Sequence, residues 1–248
     1  VITEADKEDL IGLRAVNIIK SYDEAEKISL YLDLAANHAS TNALNILADN
    51  GGYNKENRCE KTQTTILVQE KYVIWNTCPV LNPNKEFENQ FKKELKLFLD
   101  IYESSYTQIN YEELFELTTQ TQINYNMFYT NNTRNSNILS IEDLGNNLVI
   151  ALSDINLPIE EAENSVITLK PITKIKKPNF LIYNRLHSTI RDDCINKKFL
   201  ECKTKLKQTF ASAEVIQEGS LIKIKIPTDR FTIKLAILPN NGIPPYQG

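Results

Sequence analysis

Near its C-terminal end the chain alternates apolar and charged side chains with a period of two: Leu221, Lys223 and Lys225 interleave with Ile222, Ile224 and Ile226. Only an extended strand sends successive side chains to opposite faces, so a helix cannot satisfy this run. Arg230 to Leu238 alternates in the same way, and Pro227-Thr228-Asp229-Arg230 supplies the turn between them. The pair reads as an antiparallel hairpin with one apolar face and one wet, lysine-bearing face. The first hundred or so residues follow the helical period instead. Helices that come first and strands that come later imply an α+β fold, with N-terminal helices packed on mainly antiparallel sheet and the C-terminal hairpin closing it.

Thr3 can cap a first helix, with Glu4, Asp6 and Glu8 at the positive end of its dipole. Ser21-Tyr22-Asp23-Glu24 has the pattern of a capping box that opens a second helix or re-phases the first. Beyond it Ala25, Ile28, Leu32, Ala35, Ala36, Ala39, Ala43, Ile46 and Leu47 make one stripe, small in its middle, suited to close packing against the sheet or against partner subunits. Gly51-Gly52 ends that helix. Asn82-Pro83 fits an N-cap with proline at the first helical position, and Phe87, Phe91, Leu95, Phe98, Leu99 and Tyr102 recur at helical spacing behind it. In the second half, strands are expected over 147–152, 165–173 and 180–183, followed by one helix over 188–209. A chain of 248 residues is near the upper limit for a single core. It divides most simply into a helical segment with a short hairpin, 1–104, and an α+β segment, 105–248, or forms one continuous domain.

Four cysteines fall into two pairs, Cys59 with Cys78 and Cys194 with Cys202. Neither spacing is that of a zinc knuckle and only His38 and His187 could supplement them, so no metal is expected. Cys59 and Cys78 bracket a strand pair expected over 62–69 and 72–76, whose ends a disulfide can span. Cys194 and Cys202 lie eight apart in the expected helix. At 1.5 Å per residue that separation is roughly 12 Å, too far for a bond, so they pair only if the helix breaks, or pair with other cysteines. The alternative is buried thiols in a reducing compartment. No run of apolar residues is long enough to span a bilayer, and a start at Val1 is what removal of an export or anchor segment, or simple trimming, would leave.

The net charge of −4 conceals two ends: residues 171–248 hold fourteen Lys or Arg against six Asp or Glu, and the remainder is strongly acidic. Lys223, Lys225, Arg230 and Lys234 on the C-terminal hairpin are the candidate contacts for an acidic partner, for the acidic end of another copy, or for nucleic acid. The last is the weakest reading, because no recognition motif accompanies the lysines. A second candidate surface is the Thr, Gln, Asn and Tyr-rich stretch 103–137, in which Tyr106-Thr-Gln-Ile-Asn-Tyr111 is echoed by Gln120-Thr-Gln-Ile-Asn-Tyr125. Its alternation suits exposed strands, with Tyr106, Tyr111 and Tyr125 as adaptable contact residues. Asn131-Asn132-Thr133 is a glycosylation sequon in the same stretch.

Catalytic patterns are scarce. His38 sits among alanines and reads as a packed histidine. His187, Arg191 and Cys194 share a helical face, so a Cys–His dyad is geometrically conceivable, and Glu201-Cys202-Lys203 has the spacing of a nuclease fragment, though on a helix where such enzymes use a strand. No GxSxG, HExxH, phosphate-binding loop or EF-hand pattern occurs, glycine is scarce, and no cofactor is expected. The order of a leading helix, Gly51-Gly52, a cysteine, paired strands and Cys78-Pro79 loosely resembles the extracytoplasmic part of single-pass envelope or pilin-like proteins. That likeness is one of layout, covers about the first hundred residues and rests on no diagnostic motif. The expectation is a non-enzymatic structural or adaptor component of a cell-surface or envelope assembly, acting through a protein partner or self-association. The alternative is a cytosolic nucleic-acid-associated factor or enzyme using the basic C-terminal sheet.

Overall fold

The computed structural model describes residues 4–56, 59–62, 70–113, 139–145, 147–152, 155–158 and 166–247, with the backbone alone for 4–11, 14, 100–113, 139–140, 155–158 and 166–167. The fold is α+β. Its elements are α1 (Glu4–Asp49), β1 (Val73–Ile74), a 3-10 turn (Trp75–Thr77), α2 (Pro83–Glu113), β2 (Leu139–Leu144), β3 (Asn147–Leu152), β4 (Ile155–Pro158), β5 (Val166–Leu169), β6 (Ile172–Lys176), α3 (Leu181–Asp193), α4 (Phe199–Thr209), β7 (Glu214–Glu218), β8 (Leu221–Pro227) and β9 (Thr232–Ile237). Two compact units share these elements: residues 1–38 with 95–177, and residues 39–94 with 178–248.

In the first unit, β2, β3 and β6 form an antiparallel sheet in that order, and β4 pairs antiparallel with β5. Leu148, Ile150 and Leu152 of β3 are buried while Asn147, Val149 and Ala151 are half-buried, the period-two burial of a strand with one covered face. Leu144 pairs with Asn147 across a two-residue loop in which Gly145 sits at φ +67°, the left-handed region such hairpin turns require. Lys170-Pro171 divides the single strand expected over 165–173 into β5 and β6. The Tyr31 hydroxyl donates to the Phe98 carbonyl at 2.6 Å, tying α1 to α2.

The second unit is built on a sheet of order β1-β9-β8-β7. β7, β8 and β9 are antiparallel, with Ile224 opposite both Val215 and Leu235, and β1 joins β9 in parallel. Val215, Ile222, Ile224, Ile226, Ile233, Leu235 and Ile237 are buried, as are Phe87 and Phe91 of α2 and Tyr183, Leu186 and Ile190 of α3. Phe87 lies 5.9 Å from Phe91 and 5.8 Å from Phe180, ring centre to ring centre, the separation of interlocking aromatics. The N-terminus of α2 is as read from the sequence: Asn82 Oδ1 accepts from the Lys85 amide and Pro83 opens the helix.

Several expectations are corrected. The Ser21 box does not open a second helix; α1 runs through it, and the Ser21 hydroxyl donates back to the Asn17 carbonyl one turn earlier. The segment 180–183 is not a strand. Asn179 Oδ1 accepts from the Leu181 amide and α3 starts there, because Phe180, Tyr183, Leu186, His187 and Ile190 follow the helical spacing that a Phe-Leu-Ile-Tyr composition disguises. The single helix over 188–209 is two, α3 and α4, separated by a turn in which Asn196 takes φ 57°. Tyr106 and Tyr111 lie within α2, so the stretch carrying them is helical through Glu113 rather than strand; Tyr125 and the Asn131 sequon lie outside the described residues. Of the expected hairpin at 62–76, residues 63–69 also lie outside them. The described part forms an antiparallel bridge between Lys61 and Val73, after which the chain turns at Trp75 and β1 pairs with β9.

Candidate contact surfaces and their fastenings

Both disulfides form, Cys59–Cys78 and Cys194–Cys202, each with its Cα atoms 4.5 Å apart, and no cysteine is free. The second is what the helix break permits: the turn at Cys194–Lys198 folds α4 back so that 12 Å of rise collapses to bonding distance. Cys194 is therefore no nucleophile, and the conceivable Cys–His dyad does not exist. His187 has a different task. Its Nε2 lies 2.7 Å from the Pro244 carbonyl, and its ring stands between Trp75, at 6.0 Å, and Tyr246, at 5.6 Å.

That contact belongs to a docked C-terminal tail. The Leu81 amide donates to Pro245 and the Gln247 amide to Leu81, pairing the two segments in parallel. Asn76 holds the other end: its Nδ2 donates to the carbonyls of Leu238, Asn241 and Gly242, and its Oδ1 accepts from the Leu238 amide. The Asn196 amide donates to Pro239. The tail thus docks on its own chain. Nothing local to Asn76 signals its role, since its partners lie more than 160 residues away. Burial lowers the His187 pKa, the Pro244 carbonyl opposes that, and Arg191 adds to it.

The lysines of the C-terminal hairpin gather as expected on one face of the sheet, but three of them face carboxylates. Lys225 and Lys234 are directly opposite each other on β8 and β9, a destabilising like-charge pair in isolation. Glu70 lies between them, 3.2 Å from Lys225 and 3.7 Å from Lys234, and Asp49 takes Lys234 at 3.1 Å. Lys223 is buried, pairs with Glu218 and lies over the ring of Tyr72 at 5.5 Å. The Tyr72 hydroxyl donates to Glu70 at 2.9 Å, which with Lys225 lowers the Glu70 pKa. Arg230, in the exposed turn after β8, is the one member of the candidate set outside this network among the described residues. Lys225 and Lys234 are thus answered by acids from outside the C-terminal segment and Lys223 by Glu218 within it, and the signal for Asp49 and Glu70 as counter-ions appears only in the folded sheet.

The small-residue stripe of α1 is buried within the chain: Ala25, Ala35, Ala36, Ala39 and Ala43 are all covered, so packing there is intramolecular. His38 is exposed, with its ring 5.8 Å from that of Phe98. Glu201 and Lys203 flank the disulfide-bonded Cys202 on α4; Glu201 lines an open cleft of about 420 Å³ with Asp193, Lys197 and Lys205, two acids against two bases. Among the described residues no three His, Cys, Asp or Glu side chains come together as a metal site, and no helix is long and apolar enough to cross a membrane. No family model matches the chain, and neither a curated protein nor a solved structure matches it.

Proposed function

We propose that the chain is a non-enzymatic structural or adaptor component of a cell-surface or envelope assembly, acting through protein–protein contacts. The observation that carries this reading is the pairing of all four cysteines in two disulfides. Disulfides persist where the surroundings are oxidising, as at cell surfaces and in envelope compartments, and are reduced in most cytosols. The tail folded onto Leu81 and the lysines neutralised by Asp49, Glu70 and Glu218 support the same reading, since they make a closed, fastened body. The nucleic-acid alternative would need Lys223, Lys225 and Lys234 released from those carboxylates before they could meet phosphate.

The test is thiol trapping in the native cell, with a membrane-impermeant label on intact cells and native sizing of the extract. The expected result is four cysteines that react only after reduction, labelling from outside, and recovery in a species well above the 28.4 kDa of one chain. Four reactive thiols in freshly trapped cells, or a lone chain on native sizing, would overturn it.

A further inference from the structure

Opposite its buried alanines, the N-terminal part of α1 carries apolar side chains that no described residue covers. Val16 is 48% exposed, Ile19 59%, Leu30 60% and Leu34 49%. At 100° per residue these four, with Asp23 and Lys27 between them, fall within a sector of about 80° along roughly 27 Å of helix. The order along that stripe is apolar pair, acid, base, apolar pair. Turned end for end about a point near Ala25, it superposes on its own complement: Val16 falls level with Leu34, Ile19 with Leu30 and Asp23 with Lys27.

We infer that this face of α1 is an isologous interface at which a second copy of the chain packs its own α1 antiparallel. A two-fold axis across the helices sets Asp23 of each copy against Lys27 of the other and seals the apolar pairs at both ends. A parallel pairing would instead set Asp23 against Asp23 and Lys27 against Lys27, so the charges select the direction. Lys27 now meets Glu24 at 3.4 Å on the exposed surface of its own helix, a weak contact readily exchanged. Glu26, on the rim of the stripe, meets its own symmetry mate, a like-charge contact that water screens and that a neutral residue would remove. This inference deepens the proposed function by making one partner a second copy of the chain.

The test is sedimentation equilibrium of the oxidised, full chain over a wide concentration range. The expected result is a monomer–dimer equilibrium that Leu34→Glu abolishes. Asp23→Lys and Lys27→Asp each weaken it by about tenfold, the two together in one chain restore it, and Glu26→Gln strengthens it. The direction is read by oxidising chains that carry one added cysteine beside the two native disulfides. Val16→Cys mixed with Leu34→Cys cross-links, and neither does so alone. A chain monomeric at every concentration, a dimer indifferent to Leu34→Glu, or self-linking of Val16→Cys would overturn the inference. Its failure is separable from that of the proposed function. A chain monomeric in isolation yet recovered from cells in a larger assembly loses only the α1 contact, and a dimer of reduced, cytosolic chains loses only the envelope reading.

Discussion

The second compact unit and the exposed face of α1 in the first are opposites in how they treat their surface. In the former, two disulfides close short loops, and the docked tail and three lysine–carboxylate contacts fasten segments far apart in sequence. Along the latter, large apolar side chains are exposed among the described residues, beside a short-range Lys27–Glu24 pair. Fastening raises stability and removes groups from recognition; an uncovered apolar stripe contributes nothing to the fold of the single chain and is the kind of surface that partners use. On the proposed reading, stability and recognition are lodged in different parts of the molecule, and substitutions should separate them.

The largest expected effects are on the fastened side, at its fully buried positions. Gly52 has φ +97°, and a Cβ there would stand 2.9 Å from the Tyr183 ring, which is fully buried and cannot yield. Gly52→Ala should cost about 3 kcal/mol, combining a left-handed backbone penalty with overpacking. Urea unfolding followed by Trp75 fluorescence reads it directly, because this tryptophan is the only one and its Nε1 donates to Gly51. A loss below about 1 kcal/mol would mean that the α1 terminus is looser than its contacts imply.

Next come the disulfides. On chain-entropy grounds, replacing Cys59 and Cys78 by alanine should cost about 3 kcal/mol, and replacing Cys194 and Cys202, which close the shorter loop, somewhat less. The same unfolding assay compares them. Equal stability of the oxidised and reduced protein would remove both from the account.

A smaller effect depends on pH. Because burial holds the His187 pKa below its ordinary value, the unfolded chain takes up the proton more readily than the folded one. Its contribution to stability is therefore complete above the ordinary histidine pKa of about 6.5 and is lost as pH falls through that value toward the folded one. His187→Gln keeps a donor for the Pro244 carbonyl and should flatten the dependence of the urea midpoint between about pH 7.5 and 5. An unchanged slope would show that His187 does not sense acid. Smaller again, Glu70→Gln leaves Lys225 opposite Lys234 with their shared counter-ion gone and should cost less than about 1 kcal/mol, given the exposure of that pair.

How much of this was legible follows from the range of each interaction. Alternation in β8 and β9, the Asn82-Pro83 helix start and the Gly51-Gly52 stop are set by near neighbours, and the sequence shows them. The break between α3 and α4 was missed because no proline or glycine marks it; Asn196 takes the left-handed turn and a disulfide holds it. The lysine face of Lys223, Lys225 and Lys234 is legible, and Glu218 reaches Lys223 across the local β7–β8 hairpin, but Asp49 and Glu70 reach Lys234 and Lys225 from distant segments that no local pattern encodes. Asn76 and the tail were illegible for the same reason. The spacing of the alanines marks the buried stripe of α1, while the apolar residues on its other side carry no sequence signal, because singly exposed apolar residues are ordinary.

The smallest effect tests the comparison most severely. If the exposed stripe takes no part in the fold of the single chain, Leu30→Ser and Leu34→Ser should each change unfolding stability by less than about 0.5 kcal/mol, measured at a dilution where the chain is monomeric. Removing an equally large side chain from the fastened side, as in Leu186→Ala, should cost about 2–5 kcal/mol, because Leu186 is fully buried. Near-neutral changes on α1 that abolish self-association would place recognition and stability on separate residues. A cost near 2 kcal/mol at Leu34 in the monomer would instead mean that the chain itself covers this face in solution, and the contrast and the antiparallel dimer would fall together.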